Sequence, residues 1–286
     1  MPTEPSRIAI LAIFLVLSLV VLIPKVVRRR SRAASYLQYT WAFFLFLSVA
    51  EFLSFQIGIW ILGVVCYLAL REYFTLVDLR LQDRWGLLGS YLAIPFMIYF
   101  IQIDWYGMFI ISIPVYAFLV VPFLVALGGG EARGTVFSIG AIDFGLFLLV
   151  FCIGHIGYLA SYGSWGAIGL ILGVAACDGV AALLRTRQRP AWLGALLLYV
   201  ASAPVTVALA WGLSGWAGIP RVHAVPLGLL IPLLVAIGRY TIPFIEVDLG
   251  MREESLRPGR GLILDNLQSY VYAAPIVFHY IRYFLK

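Results

Sequence analysis

Charged residues make up only 12% of this 286-residue chain, against 63% apolar ones. A water-soluble domain carries roughly 25% charged residues, so a soluble fold of this size is excluded. Cysteine is scarce. Cys66, Cys152 and Cys177 lie in or beside apolar runs without paired spacing, which excludes a disulfide framework or zinc finger and leaves small core residues. The three histidines, His155, His223 and His279, are too scattered for a metal-ligand pattern. Alternating ten-residue segments are missing, which excludes an outer-membrane barrel.

What fills the chain is long apolar runs. The first, 8–27, is followed at once by Arg28, Arg29, Arg30 and Arg32, with only Arg7 before it. A cleaved signal peptide carries its positive charge on the other flank, so a retained anchor is expected. Residues 36–70 read as a tight helical hairpin turning near Glu51–Gln56. Further runs at about 87–103, 105–127, 136–159, 165–184, 192–213, 225–245 and 265–285 are each long enough to cross a bilayer. With these spans, fifteen of the twenty basic residues fall on one side; Arg7, Arg221, Arg282 and Lys286 fall on the other, and Arg239 inside a span. The positive-inside rule then predicts an all-α polytopic membrane protein of about nine to ten helices, with both termini outside. Residues 1–135 form an N-terminal set of helices and 136–286 a C-terminal set with a cytoplasmic loop at 246–264. The net charge of +6 is mostly this topological bias, and no nucleic-acid partner is expected. The asymmetry suits a bacterial inner membrane.

Aromatic residues near helix ends, such as Tyr36, Tyr39, Trp41, Tyr272, Tyr280 and Tyr283, read as interfacial belts. Gly154, Gly157, Gly163, Gly166, Gly169 and Gly173 read as close helix packing. Gly128-Gly129-Gly130 lacks the following Lys or Ser/Thr of a phosphate loop and reads as a turn.

Two carboxylates, Asp143 and Asp178, fall inside apolar runs. Each costs about 2.5–3.5 kcal/mol at a helix centre, so each calls for a purpose. Asp178 is either neutralised by Arg185, Arg187 and Arg189 near the interface or is a metal- or phosphate-site carboxylate. The densest charge lies between Gly238 and Ser269, where Glu246, Asp248, Arg252, Glu253, Glu254, Arg257, Arg260 and Asp265 crowd between two apolar runs. The plain reading is a solvated loop with helix-flanking charges; the sharper one is a site that meets a charged ligand.

The order of residues in that stretch resembles the C-terminal signature of phosphatidate cytidylyltransferases, the CDP-diacylglycerol synthases. Gly238 matches the signature's first glycine. Pro258, Gly259 and Gly261 match its turn, and Leu264-Asp265 with Ser269 match its end. Ala273-Ala274-Pro275 and the HYIRYF segment resemble its closing helix, LREYFTLV from Leu70 to Val77 resembles a cytoplasmic Lys-Glu-Tyr segment, and Asp178 stands where an Asn-Asp motif belongs. The departures are chemical. Arg239 occupies the place of a metal-binding carboxylate, Glu246-Val247 replace Lys-Arg, and Arg260 replaces a His. Leu262 replaces a Gly, Asn266 and Gln268 replace Arg and Asp, and Cys177 replaces an Asn. A Lys-rich segment expected after Asp178 is missing.

The resemblance implies attack of a phosphatidate oxygen on the α-phosphorus of CTP, with Mg²⁺. Exchanging a ligand carboxylate for Arg239 replaces attraction of the metal by repulsion, while a guanidinium holds phosphate well. The first expectation is therefore a diverged, inactive relative in phospholipid metabolism. It would bind a phosphatidate-like lipid phosphate, or a partner lipid enzyme or second copy of itself, without cofactor. Arg239, Arg252, Arg257 and Arg260 would hold phosphate, oriented by Glu246, Glu253 and Asp265. The alternative is an active CTP-dependent lipid nucleotidyltransferase with altered substrate, in which Asp178, Glu253 and Asp265 are catalytic and ligate Mg²⁺. A scaffold or transporter keeping only the fold is the third.

Overall fold

The computed structural model describes residues 4–26, 32–129, 132–184, 190–251 and 262–285; for residues 4, 6, 24–26, 32–39 and 262–265 it describes the backbone course alone. The described chain is helical throughout: α1 (Glu4–Val26), α2 (Arg32–Phe52), α3 (Phe55–Leu76), α4 (Arg84–Gln102), α5 (Tyr106–Leu127), α6 (Thr135–Tyr162), α7 (Ser164–Leu184), α8 (Ala191–Ala217), α9 (Arg221–Asp248) and α10 (Leu262–Leu285). Helices α3 to α9 are long and apolar enough to cross a membrane, and Arg7–Ile23 and Thr40–Phe52 are shorter apolar segments within α1 and α2. In hydrocarbon every backbone N–H and C=O must be satisfied within the segment, which is why apolar sequence of this length settles into helices. The chain is an integral, polytopic membrane protein.

The hairpin expected near Glu51–Gln56 is present. α2 breaks at Leu53, Ser54 caps α3 by accepting from the Gln56 N–H at 3.2 Å, and Gly58 lets the two helices touch. A Cβ on Gly58 would stand 2.6 Å from the Ala50 backbone nitrogen. α5 widens to a π-turn at Ser112–Ala117, around Pro114, which has no N–H to give to the helical ladder. α6 has a second such turn at Phe147–Cys152.

Polar contacts fix which ends lie together. At one end Glu51 joins Arg7 (3.2 Å) and Ser164 (2.8 Å), Gln102 Nε2 donates to the Gln56 carbonyl, and His223 Nδ1 meets the Tyr280 hydroxyl. At the other end Asp83 is fully buried, and both its oxygens accept from Arg80, at 3.1 Å from Nε and 2.8 Å from Nη2. Arg80 also donates to the Arg133 carbonyl and the Thr135 hydroxyl, tying the α3–α4 connection to the start of α6. Successive helices thus run up and down between two polar ends.

Glycine plays two different roles in this bundle. Gly154, Gly157 and Gly173 sit in close packing: a Cβ on Gly157 would lie 2.5 Å from Ile59 Cδ1, and one on Gly173 3.1 Å from Ile231 Cδ1. Gly169 is not such a position, because nothing lies within 4 Å of the Cβ it lacks. Cys66, Cys152 and Cys177 are buried free thiols, as expected for core residues.

One boundary differs from the sequence reading. The loop expected at 246–264 is shorter on both sides: Glu246 and Asp248 form the last turn of α9, and residues 262–264 already belong to α10. Apolar composition marks the hydrocarbon, whereas the helical hydrogen-bond ladder continues beyond it until something stops it. Here the Leu249 N–H bonds back to the Ile245 carbonyl, and Gly250 takes the left-handed conformation (φ 72°) that ends α9.

Candidate functional site

Asp178, Arg239 and Ser269 are far apart in sequence and meet in space. Each lies on a different helix of the mutually packed group α7, α9 and α10. Arg239 Nη1 donates to Asp178 Oδ1 at 2.7 Å, and Ser269 Oγ donates to the same oxygen at 2.7 Å. The ion-paired side chains are 14% (Arg239) and 19% (Asp178) exposed, and Ser269 is fully buried. That exposure is low enough for the pair to hold most of its strength, since little water competes for either charge.

Gly238 explains why the arginine reaches. A Cβ there would stand 2.6 Å from the Gln268 carbonyl oxygen and 3.3 Å from the Tyr272 ring. Only a glycine lets α9 lie this close to α10, and the next residue is then delivered beside Ser269. The Gly-Arg pair works as a unit: one residue makes the approach, the other uses it.

Asp178 therefore takes its counter-charge from Arg239, 61 positions along the chain. The other candidates, Arg185, Arg187 and Arg189, lie outside the described residues, as do Arg252, Glu253, Glu254, Arg257, Pro258, Gly259, Arg260 and Gly261. Asp265 sits on α10 one turn before Ser269, on the same helical face, with its side chain outside the described set.

A Mg²⁺ ion does not fit at Asp178 in this arrangement. Oδ1 already receives a guanidinium and a hydroxyl. A divalent ion about 4 Å from that guanidinium is repelled by about 8 kcal/mol at an effective dielectric near 20. Among the described residues no three His, Cys, Asp or Glu side chains cluster closely enough to hold a metal.

Two other arrangements escaped the sequence reading, and a third was marked there without its surroundings. The Arg80–Asp83 fork joins residues three apart, a spacing visible in the sequence as R-L-Q-D but unremarkable without the buried Asp83. His155 and His279 meet edge-to-face with ring centroids 5.3 Å apart, with Phe109, Phe151 and Phe278 around His155. Nothing in their spacing announces that pairing. Asp143, marked in the sequence as an intramembrane carboxylate, is only 8% exposed, and neither oxygen has a hydrogen-bond partner among the described residues. It does not join the Asp178 group.

An all-helical membrane bundle with an ion-paired carboxylate held by three helices is the class these observations define. In comparison with known proteins, the chain is 26% identical over 239 residues to the uncharacterized protein YnbB of Escherichia coli (strain K12), covering 77% of this chain and 78% of that one. No protein-family model matches the chain. No solved structure matches it either.

Proposed function

We propose that this protein is a diverged phosphatidate-cytidylyltransferase-like membrane protein of phospholipid metabolism that binds a phosphatidate-like lipid phosphate without catalysing nucleotidyl transfer. One observation carries the reading: Arg239, Asp178 and Ser269, three positions matched to separate parts of the signature, share a single carboxylate oxygen. The signature's residues belong to one site, and these converge as members of one site would. The departure also has a consistent physical outcome, because the guanidinium lies where a cation would otherwise sit.

The chemistry follows from the donor set. Asp178 fixes one edge of the Arg239 fork through Nη1. An arginine offers five N–H donors in a plane, so a fork held this way can present its remaining donors to two phosphate oxygens. Ser269 spends its hydrogen on Asp178 and so positions the carboxylate rather than the ligand. The reading adds Arg252, Arg257 and Arg260 as further phosphate-holding cations. It places this end of the bundle on the cytoplasmic side of a bacterial inner membrane, with nine to ten crossings and both termini outside, and leaves a homodimer or a partner lipid enzyme as its protein contacts.

The test uses purified protein in lipid nanodiscs. Phosphatidate should bind more tightly than phosphatidylcholine of the same chains, and Arg239→Gln should remove that preference. With CTP, phosphatidate and Mg²⁺ the wild-type protein should release no pyrophosphate. Turnover to CDP-diacylglycerol would overturn the noncatalytic reading in favour of an active nucleotidyltransferase using Glu253 and Asp265. An unchanged preference in Arg239→Gln would show that Arg239 does not hold the phosphate, and no preference for phosphatidate in the wild type would leave only a scaffold or transporter sharing the fold.

A further inference from the structure

The Glu51 end of the bundle, opposite the Asp178 site, carries a second pair of charges, and these are held by tyrosines. α4 closes there in a turn: the Asp104 N–H bonds to the Ile101 carbonyl at 3.2 Å and the Trp105 N–H to the Phe100 carbonyl at 2.9 Å. Asp104 takes the left-handed conformation (φ 52°) at a capping position where glycine is usual. Asp104 is exposed, and its Oδ1 accepts from the hydroxyl of the fully buried Tyr158 at 2.6 Å. Arg282 of α10 lays its guanidinium 3.6 Å over the Tyr106 ring, and its Nη1 donates to the Tyr162 hydroxyl. Tyr158 and Tyr162 stand one turn apart on α6, with ring centroids 5.7 Å apart, and Tyr106 meets Tyr158 edge-to-face at 5.7 Å. One acid and one base are thus fixed in a single aromatic cluster.

Opposite charges so placed ordinarily pair. Among the described residues Asp104 and Arg282 form no ion pair, either with each other or with a third group. Stacking on Tyr106 uses the flat face of the guanidinium and Tyr162 takes one N–H, so the in-plane donors of Nε and Nη2 are left over. Asp104 Oδ2 is left over as an acceptor. A ligand that completes both carries an anion and an N–H-bearing cation in one small group. The level in the membrane narrows the choice, because Trp105 is 53% and Tyr283 82% exposed, and such aromatics mark the headgroup region. A phosphoethanolamine group meets both demands there: its phosphate suits the guanidinium, and its primary ammonium donates to the carboxylate. Phosphocholine has the same two charges but no N–H to give, and phosphoglycerol brings Asp104 no cation. Arg282 lies about 20 Å from Ser269 along α10 at 1.5 Å per residue, so this is not the Asp178 site.

We propose that Asp104 and Arg282 form a binding site for a phosphoethanolamine group, the phosphate on the Arg282 guanidinium and the ammonium on the Asp104 carboxylate.

Native mass spectrometry of the full chain tests this, with protein released from micelles loaded with phosphatidylethanolamine, phosphatidylcholine or phosphatidylglycerol of the same chains. Wild-type protein should retain phosphatidylethanolamine about tenfold more than either of the others, the ratio expected for one charge-assisted hydrogen bond. Asp104→Asn still accepts from Tyr158 and tolerates the left-handed backbone, and should erase the advantage over phosphatidylcholine. Arg282→Gln should lower retention of both zwitterionic lipids. The advantage should persist in Arg239→Gln, which keeps this result separate from phosphate binding at the Asp178 site. Displacement of the lipid by free glycerophosphoethanolamine would support the same chemistry with a soluble source, and resistance to it would support the lipid. Equal retention of phosphatidylethanolamine and phosphatidylcholine by the wild type, or a difference that survives Asp104→Asn, would overturn the assignment. The Asp104→Asn comparison decides the matter even if Arg282→Gln fails to fold.

Discussion

Replacing Asp178 by Asn keeps the shape of the side chain and removes the negative charge that faces Arg239 at 2.7 Å. Two estimates of the cost converge. Separating one pair of unit charges at about 4 Å and an effective dielectric near 20 forfeits about 4 kcal/mol. Breaking a buried pair by removing one partner typically costs about 3–5 kcal/mol, because the remaining charge is stranded. Residual exposure of the two side chains, 14% and 19%, admits some water and favours the lower half of that range. Asp178→Asn is therefore expected to lower unfolding stability by about 3 kcal/mol. Equilibrium unfolding in mixed detergent–SDS micelles, followed by tryptophan fluorescence, measures it. A double-mutant cycle with Arg239→Gln should show coupling of more than about 1.5 kcal/mol, with the double variant more stable than the sum of the singles predicts. A coupling near zero, or a loss below about 0.5 kcal/mol for Asp178→Asn, would refute the claim that the two side chains neutralise each other within the bundle.

Three further outcomes follow from the geometry. Gly238→Ala places a methyl 2.6 Å from the Gln268 carbonyl oxygen; α9 and α10 must separate, with an expected loss of about 1–3 kcal/mol in the same unfolding assay and weaker phosphatidate preference. Asp143→Val removes a carboxylate whose two oxygens have no partner among the described residues; stability should rise by about 1–3 kcal/mol, and a fall would show that Asp143 is held by a group not seen among them. Arg80→Lys keeps the charge but cannot reproduce the two-pronged contact with Asp83 or reach the Arg133 carbonyl as well. Proteolysis of the α3–α4 connection should quicken, and Asp83→Asn should act in the same direction.

The span pattern was legible because it depends on composition alone. Any apolar run of some twenty residues must satisfy its backbone internally once in lipid, so the helices came out within a few residues of the observed α3 to α9, and the break near Ser54 fell where Glu51 and Gln56 interrupt the run. The loop at 246–264 was placed too wide for the same reason: hydropathy records where hydrocarbon ends, and Gly250 decides where the helix ends.

The Asp178 site shows where a linear reading stops. Sequence alone marked Asp178 as a carboxylate too costly to leave unpaired and Arg239 as a cation stranded in an apolar run. It left Asp178 open between Arg185, Arg187 and Arg189, near in number and outside the described residues, and a metal or phosphate site. Which cation answers which carboxylate depends instead on the rotation of α7 and α9 about their axes and on how closely α10 approaches. That closeness is set by a missing methyl group at Gly238. The pairing of His155 with His279 is of the same kind. The helices and the membrane were properties of the residues themselves. The partners were decided by packing, because side chains from distant positions meet only after the faces of the helices have been chosen.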